Sequence, residues 1–120
     1  MLTPKEMMEV AVKALDSRKG KEIRALHIEE QTTLADYFVI CNGTSNTQVR
    51  ALADAVEAEL SKAGEEPHHV EGHRGGDWTL LDYSSVVVHV FTEEAREFYS
   101  LERLWSDAAP VDVSQWLTQD

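Results

Sequence analysis

Four side chains in one short segment have the chemistry of metal ligands. His68, His69, Glu71 and His73 follow one another closely, and on a strand the last three would share one face as a three-ligand set. Glycines border the segment and would interrupt the strand before His73. We interpret the segment as a solvated histidine-rich turn in preference to a metal site, and we predict neither a metal nor a cofactor.

The turn Gly43–Ser45 lies between an apolar strand and a helix. This order resembles the phosphate-facing turn of nucleotidyltransferases, where amides at a helix N-terminus meet a triphosphate. Those enzymes also need paired carboxylates on a nearby strand to hold magnesium. Neither Asp36 nor Asp82 has a second carboxylate two residues along its strand. The turn therefore predicts a helix cap, with a nucleotide-binding enzyme retained as the alternative function.

Two further side chains with catalytic potential lie inside apolar runs. The single cysteine, Cys41, ends such a run, which favours a small core residue over a nucleophile. His89 lies between two valines, which favours a core or interface imidazole over a general base. No serine, histidine and acid are spaced in a way that indicates a triad. These residues by themselves therefore give little support for catalysis.

Helical and strand periodicities alternate along the chain and define the elements that would position these residues. They predict helices over residues 3–20 and 45–64, strands over 23–28, 37–41, 68–72, 78–83 and 86–91, and helical turns over 93–99 and 101–105. Thr3, Ser45 and Thr92 are predicted N-caps, and Ser45 with Gln48 fits a capping box. The element order predicts one α/β domain whose mixed sheet of about five strands is flanked by helices.

The last part of the chain differs from the rest in composition. Residues 106–120 are acidic and contain Pro110 together with an apolar pair, Trp116 and Leu117, that could anchor the segment. We predict a domain over residues 1–105 followed by an acidic C-terminal tail over residues 106–120.

The charge balance restricts the class of partner. The 120 residues include 22 acidic side chains against 11 lysines and arginines, a net charge of -11. Such a field repels phosphate, and non-specific nucleic-acid binding depends on lysine and arginine contacts to phosphate. We therefore expect a basic protein surface as the primary partner, and neither DNA nor RNA.

The same composition bears on location. One cysteine, no basic and apolar leader and no apolar run of membrane-spanning length favour a reducing, cytoplasmic location without membrane contact.

Aromatic residues concentrate late in the chain. All three tryptophans and most of the phenylalanines and tyrosines come after residue 77, although a small domain has limited core to fill. Tryptophan, tyrosine and arginine dominate the hot spots of protein interfaces. We therefore predict that two or more of these aromatic residues form a partner-binding patch.

Three stretches of the chain carry a family resemblance. Residues 34–50, 77–83 and 86–105 read LADYFVICNGTSNTQVR, DWTLLDY and VVVHVFTEEAREFYSLERLW. They resemble the ribosomal silencing factor family, also called Iojap-like proteins. The resemblance implies an α/β fold related to nucleotidyltransferases that lacks their carboxylate pair and is often dimeric when free.

The function implied by this resemblance is that of a translational repressor. Such proteins bind the large ribosomal subunit through its protein fourteen and sterically block association with the small subunit, which lowers translation under nutrient limitation. Occupying a surface needs no catalytic group, so the resemblance implies that the protein is not an enzyme. With an acidic domain, we expect at most minor contact with ribosomal RNA. A dimeric adaptor whose aromatic patch serves another protein is the remaining binding hypothesis.

Carried onto this chain, the resemblance implies a partner surface on the two hairpin strands and the helical turns that follow them. Its residues are Trp78, Leu80, Asp82, Tyr83, His89, Phe91, Phe98, Tyr99, Arg103 and Trp105. Part of this set is expected to be core, Phe91 and Leu80 first. The chain departs from the family pattern at Asn42, where a small hydroxyl residue is common, and at two turns, Ser84-Ser85 and Thr92-Glu93.

Overall fold

The computed structural model describes residues 2–29, 35–72 and 76–117. Its elements are α1 (Pro4–Ser17), β1 (Lys21–His27), β2 (Tyr37–Gly43), α2 (Asn46–Lys62), β3 (His69–Gly72), β4 (Trp78–Asp82), β5 (Val86–Thr92), α3 (Glu93–Tyr99), α4 (Leu101–Leu104) and β6 (Ala109–Val111). A 3-10 turn, Ser114–Trp116, follows β6. The predicted single α/β domain with a mixed sheet is confirmed, with six strands in the sheet, more than the sequence predicts.

The strands are ordered β3-β4-β5-β2-β1-β6 across the sheet. β2 and β5 are parallel neighbours, and the other adjacent pairs are antiparallel. The predicted hairpin of β4 and β5 across Ser84 and Ser85 is present. Nearly every residue of β2 and β5 is buried, as the unbroken apolar run of β2 predicts for a strand covered on both faces.

Helices α1 and α2 pack side by side on one face of the sheet, which we call the helical face. Each helix presents an apolar stripe at helical spacing. The largest fully buried members of the two stripes are Met8, Val12, Leu15, Val49, Leu52, Val56 and Leu60. They form one cluster with the inward side chains of the sheet, among them Val39, Leu81 and Val88. This cluster is mostly aliphatic.

The first helix begins as predicted and ends earlier than predicted. Thr3 and Glu6 form a complete capping box at its start. The helix ends at Ser17 and does not reach Gly20. A Cβ atom at Gly20 would lie 2.5 Å from Cys41 Sγ, so the glycine allows the chain to pass close to β2.

The predicted caps of the later helices are present, with one difference. The backbone N–H of Gln48 donates to Ser45 Oγ over 3.1 Å. The Gln48 side chain, however, bonds Thr44 and does not return to the Ser45 backbone, so the predicted capping box is half formed. Thr92 Oγ1 accepts from the N–H of Ala95 over 3.3 Å, as predicted for a cap of α3.

The opposite face of the sheet, which we call the aromatic face, carries Phe38, Trp78, His89 and Phe91. Its cover is the segment of residues 93–105, which comprises α3, Ser100, α4 and Trp105 and which we call the aromatic arm. The ring of Trp105 meets that of Phe38 edge-on with 5.5 Å between centroids. Short helices therefore cover this face, in contrast to the two long helices on the other.

Residues beyond the predicted boundary at Trp105 join the sheet. β6 pairs antiparallel with β1, and Val113 is buried in the cluster of the helical face. Trp116 and Leu117 are half-buried against that cluster, as predicted for an anchor. The folded domain thus extends past residue 105. A three-residue strand containing a proline is too short for its period to be read from sequence.

Candidate partner-binding surface

The residues of β4 alternate between the two faces of the sheet. Trp78, Leu80 and Asp82 lie on the aromatic face and are half-buried. Leu81 and Tyr83 lie on the helical face, where Tyr83 is 3% exposed. Burial raises the pKa of the Tyr83 hydroxyl. The expectation that Tyr83 belongs to a partner surface is therefore wrong, because the two-residue period of a strand turns it toward α1 and α2.

His89 and Phe91 lie on the aromatic face but beneath its surface. They are 4% and 0% exposed, so neither can meet a partner directly. Phe91 is therefore core, as expected for part of the set, and His89 is a correction to the surface implied by the resemblance. The Trp78 ring packs on Phe91 with 5.0 Å between centroids, and Phe38 meets His89 edge-on at 4.9 Å. These two side chains form the floor that supports Trp78.

The His89 imidazole is neutral and has one tautomer. The indole N–H of Trp78 donates to His89 Nδ1 over 3.3 Å, so the imidazole proton is on Nε2. Burial lowers the pKa of His89 to about 4, against a smaller opposing effect of the Asp82 carboxylate. His89 therefore acts at neutral pH as a fixed hydrogen-bond acceptor that orients Trp78, in agreement with a core imidazole.

The exposed part of the aromatic face is an apolar surface on the aromatic arm. Phe98 is 81% exposed, Leu104 74% and Tyr99 40%. The Tyr99 ring lies 4.6 Å from that of Trp78 and 5.1 Å from that of Phe98, centroid to centroid. Trp78, Tyr99 and Phe98 thus form a continuous row from the sheet to solvent. We call Trp78, Phe98, Tyr99 and Leu104 the apolar patch.

Leu104 is absent from the sequence-based set. Exposed leucines are individually common, and only its position in a four-residue helix between Arg103 and Trp105 could have indicated it. Arg103 is exposed, but it lines a separate cavity of about 440 Å³ on the side of the arm near β1 and β2. Trp105 is half-buried against Phe38. The predicted residues are therefore only partly brought together.

A cavity of about 830 Å³ lies between the N-terminal turn of α2 and α3. Its lining includes Ser45, the carboxylates of Asp77, Glu93, Glu94 and Glu97, and the rings of Phe98 and Tyr99. If the protein were a nucleotide-binding enzyme that uses the Gly43–Ser45 turn, this cavity would hold the triphosphate. Four carboxylates oppose a bound polyphosphate, so the geometry disfavours the nucleotide-binding alternative.

The other chemical candidates are not assembled into a site. His69 and Glu71 are exposed on β3, with 3.4 Å between Nε2 and Oε1, and His73 lies outside the described residues. Among the residues that the structure describes, no group of three or more potential ligands could hold a metal. Cys41 is buried, and burial raises its pKa to about 12, as expected for a core thiol rather than a nucleophile. None of the described helices is long and apolar enough to cross a membrane.

Fold and surface together define a small α/β protein with one sealed sheet face and one partly covered aromatic face. A crystal structure of a protein from Chromobacterium violaceum matches it with a TM-score of 0.85 at 38% identity, over 88% of each chain. The sequence profile described as "Ribosomal silencing factor during starvation" matches residues 2–120. Ribosomal silencing factor RsfS of Halalkalibacterium halodurans is 37% identical over 112 residues, 93% of this chain and 96% of the relative.

The chain belongs to the ribosomal silencing factor family, as the resemblance in its sequence implies. A more distant similarity reaches the mouse protein named "Mitochondrial assembly of ribosomal large subunit protein 1". It is 29% identical over 102 residues, which are 82% of this chain and 45% of the mouse protein.

Proposed function

We propose that this protein is a translational repressor that binds the large ribosomal subunit through ribosomal protein fourteen and sterically blocks association with the small subunit. Its action would lower translation under nutrient limitation. Membership of the silencing factor family supports a ribosomal target, and the name of the mouse relative points to the large subunit. The structural observation that carries the proposal is the exposed apolar patch.

The apolar patch has the composition and support of an interface hot spot. Trp78 and Tyr99 are aromatic anchors whose rings contact one another, and the largely exposed Phe98 contacts Tyr99. Leu104, on α4, is a further largely exposed apolar side chain of the arm. Truncating an aromatic hot-spot residue costs the most binding free energy where the residue is held in a well-packed site. The buried floor of His89 and Phe91 supplies that rigidity by contacting the Trp78 ring.

Charge favours a basic protein over RNA as the contacted component. Asp82 lies on the same sheet face as Trp78 and Leu80, and Glu93, Glu94 and Glu97 line the cavity beside Phe98 and Tyr99. With a net charge of -11, the protein would be repelled by ribosomal RNA and attracted by a basic ribosomal protein, which speeds encounter. We therefore infer that contact with RNA is at most minor and that DNA is not a ligand.

Steric blocking requires only occupancy of the partner surface. No catalytic group is needed, in agreement with the buried thiol and imidazole described above. We infer that the protein acts in the cytoplasm, where ribosomes are, and that it is a homodimer when free. If the dimer uses the apolar patch, large subunits will compete with dimerisation, and dilution will favour ribosome binding.

The test is co-sedimentation of the purified protein with isolated large and small subunits. We expect the wild type to sediment with large subunits and to reduce formation of whole ribosomes. Trp78→Ala should weaken this binding by about 2 kcal/mol or more if Trp78 is a hot spot. Val70→Ala is the matched control, because Val70 is 46% exposed on β3 and lies on the helical side of the sheet. Sedimentation unchanged by Trp78→Ala would show that the patch is not the binding surface.

A further inference from the structure

We propose that Arg96 is the positioning residue of the partner surface. It makes α3 and α4 one rigid support for the apolar patch. The inference rests on the proposed function, because it concerns how the patch is presented to its partner. Arg96 itself is 11% exposed at its side chain and is not a member of the patch.

The guanidinium of Arg96 bonds acceptors from three other elements. Its Nε and Nη2 donate to the two carboxylate oxygens of Glu102 on α4, over 3.0 and 3.1 Å. Its Nη1 donates to Asn42 Oδ1 on β2 over 2.8 Å and to the carbonyl oxygen of Glu22 on β1 over 2.6 Å. One side chain of α3 therefore ties α4 and the ends of two strands together.

This network spans the joint of the aromatic arm. Ser100 separates α3 from α4 and has a left-handed backbone with φ 46° and ψ 48°. Phe98 and Tyr99 precede this joint, and Leu104 follows it. The relative direction of the two short helices therefore sets the spacing of the patch, and the bidentate bond between Arg96 and Glu102 closes the joint from one side.

The geometry requires arginine rather than a positive charge alone. The planar guanidinium has five N–H groups in a fixed fork, and four of the bonds they form are described above. A lysine at this position has three donors on one nitrogen and cannot make the bidentate bond to Glu102 while also reaching both strands. Arg96→Lys should therefore release the arm while preserving the charge.

Asn42, near the end of β2, is the second side chain on which this network depends. It is 5% exposed. Its side-chain oxygen reaches Arg96, 54 residues away in sequence. An aspartate at position 42 would keep that acceptor, whereas a leucine of similar size would remove it.

The experiment measures affinity for isolated large ribosomal subunits together with amide hydrogen exchange, on the full chain. For Arg96→Lys we expect affinity to fall about tenfold, because the arm must then be ordered upon binding. Exchange should accelerate at residues 97–105 and stay unchanged in α1 and α2. Glu102→Gln should act in the same direction more weakly. Arg50→Lys is the matched control, since Arg50 is exposed on α2.

A pair of substitutions at Asn42 tests the same idea without altering Arg96. Asn42→Leu should loosen the arm and weaken binding, and Asn42→Asp should retain most of the affinity. If Arg96→Lys does not fold, the two Asn42 variants test the positioning role in its place. Faster exchange in the arm with unchanged affinity would refute a positioning role, and so would weakened binding without faster exchange.

The two proposals fail in different ways. If Trp78→Ala weakens binding and the Arg96 and Asn42 variants do not, only the positioning role is wrong. If the wild type does not bind large subunits, the proposed function is wrong, and the role of Arg96 toward that partner is wrong with it.

Discussion

The two faces of the sheet are covered in different ways. On the helical face, two helices of 14 and 17 residues bury a continuous, mostly aliphatic cluster. On the aromatic face, helices of seven and four residues cover only part of the sheet. Phe98 and Leu104 remain largely exposed there. We infer that the helical face supplies most of the stability of the domain, whereas the aromatic face leaves apolar surface available to a partner.

The largest effect is expected from a truncation on the helical face. Leu52 is fully buried between α2 and the sheet. Leu52→Ala should lower the free energy of unfolding by about 2–5 kcal/mol, from lost transfer energy and the cavity left behind. Urea unfolding measures the loss. Affinity per folded molecule for large subunits should be unchanged, and a specific loss of binding would contradict the division between the faces.

A truncation on the aromatic face should weaken binding and leave stability nearly unchanged, the reverse of what is expected for Leu52→Ala. Phe98 is 81% exposed, so Phe98→Ala should change the free energy of unfolding by no more than about 0.5 kcal/mol. The same variant should weaken binding to large subunits by about 2 kcal/mol if Phe98 is a hot spot. Titration of subunits with the folded variant gives the affinity. A destabilised variant with normal affinity would assign Phe98 to the core.

Acid should weaken the folded state through the buried imidazole of the aromatic face. The pKa of His89 is about 4 in the folded protein and 6.5 for the free side chain. Between these values the unfolded chain binds the additional proton, so stability falls as pH is lowered. We expect a loss of roughly 2 kcal/mol from pH 7 to pH 5 that is absent in His89→Gln. Equal losses in urea unfolding of both proteins would contradict the assignment.

The smallest effects are expected from the two matched helix caps. Ser45 caps α2 on the helical face, and Thr92 caps α3 in the aromatic arm. Replacing either by alanine should cost about 1 kcal/mol. For Ser45→Ala the loss should appear in the urea midpoint of the whole domain. For Thr92→Ala the loss should appear mainly as faster amide exchange over residues 95–99. If Thr92→Ala instead shifts the urea midpoint of the whole domain as much as Ser45→Ala does, the aromatic arm unfolds together with the domain.

Several parts of the fold could be predicted because they depend on local patterns. The apolar stripe of α2, the buried run of β2, and the caps Thr3, Ser45 and Thr92 are all readable from neighbouring residues. The alternation of β4 was also readable, and it places Tyr83 on the face opposite Trp78. The surface implied by the resemblance included both residues, and the strand period separates them.

Other parts of the candidate surface could not be read from the chain. The burial of His89 and Phe91 depends on the aromatic arm folding back over β5. Leu104, on α4, is 74% exposed, although Leu101 of the same helix packs against the buried cluster of this face. Neither outcome can be predicted from a periodic pattern in the sequence. For Leu104 the reason is that α4 has four residues, barely more than one helical turn.

By itself, the sequence determined the class of the domain, its family and the acidic, aromatic character of the candidate surface. Local propensity and strand alternation depend on a few neighbouring residues, and net charge depends only on composition. Both can therefore be read from a linear sequence. The tertiary structure alone decided which aromatic rings reach solvent, that β6 completes the sheet, and that Arg96 meets Asn42 and Glu22. These contacts join residues far apart in the chain, and they exist only once helices and strands have packed.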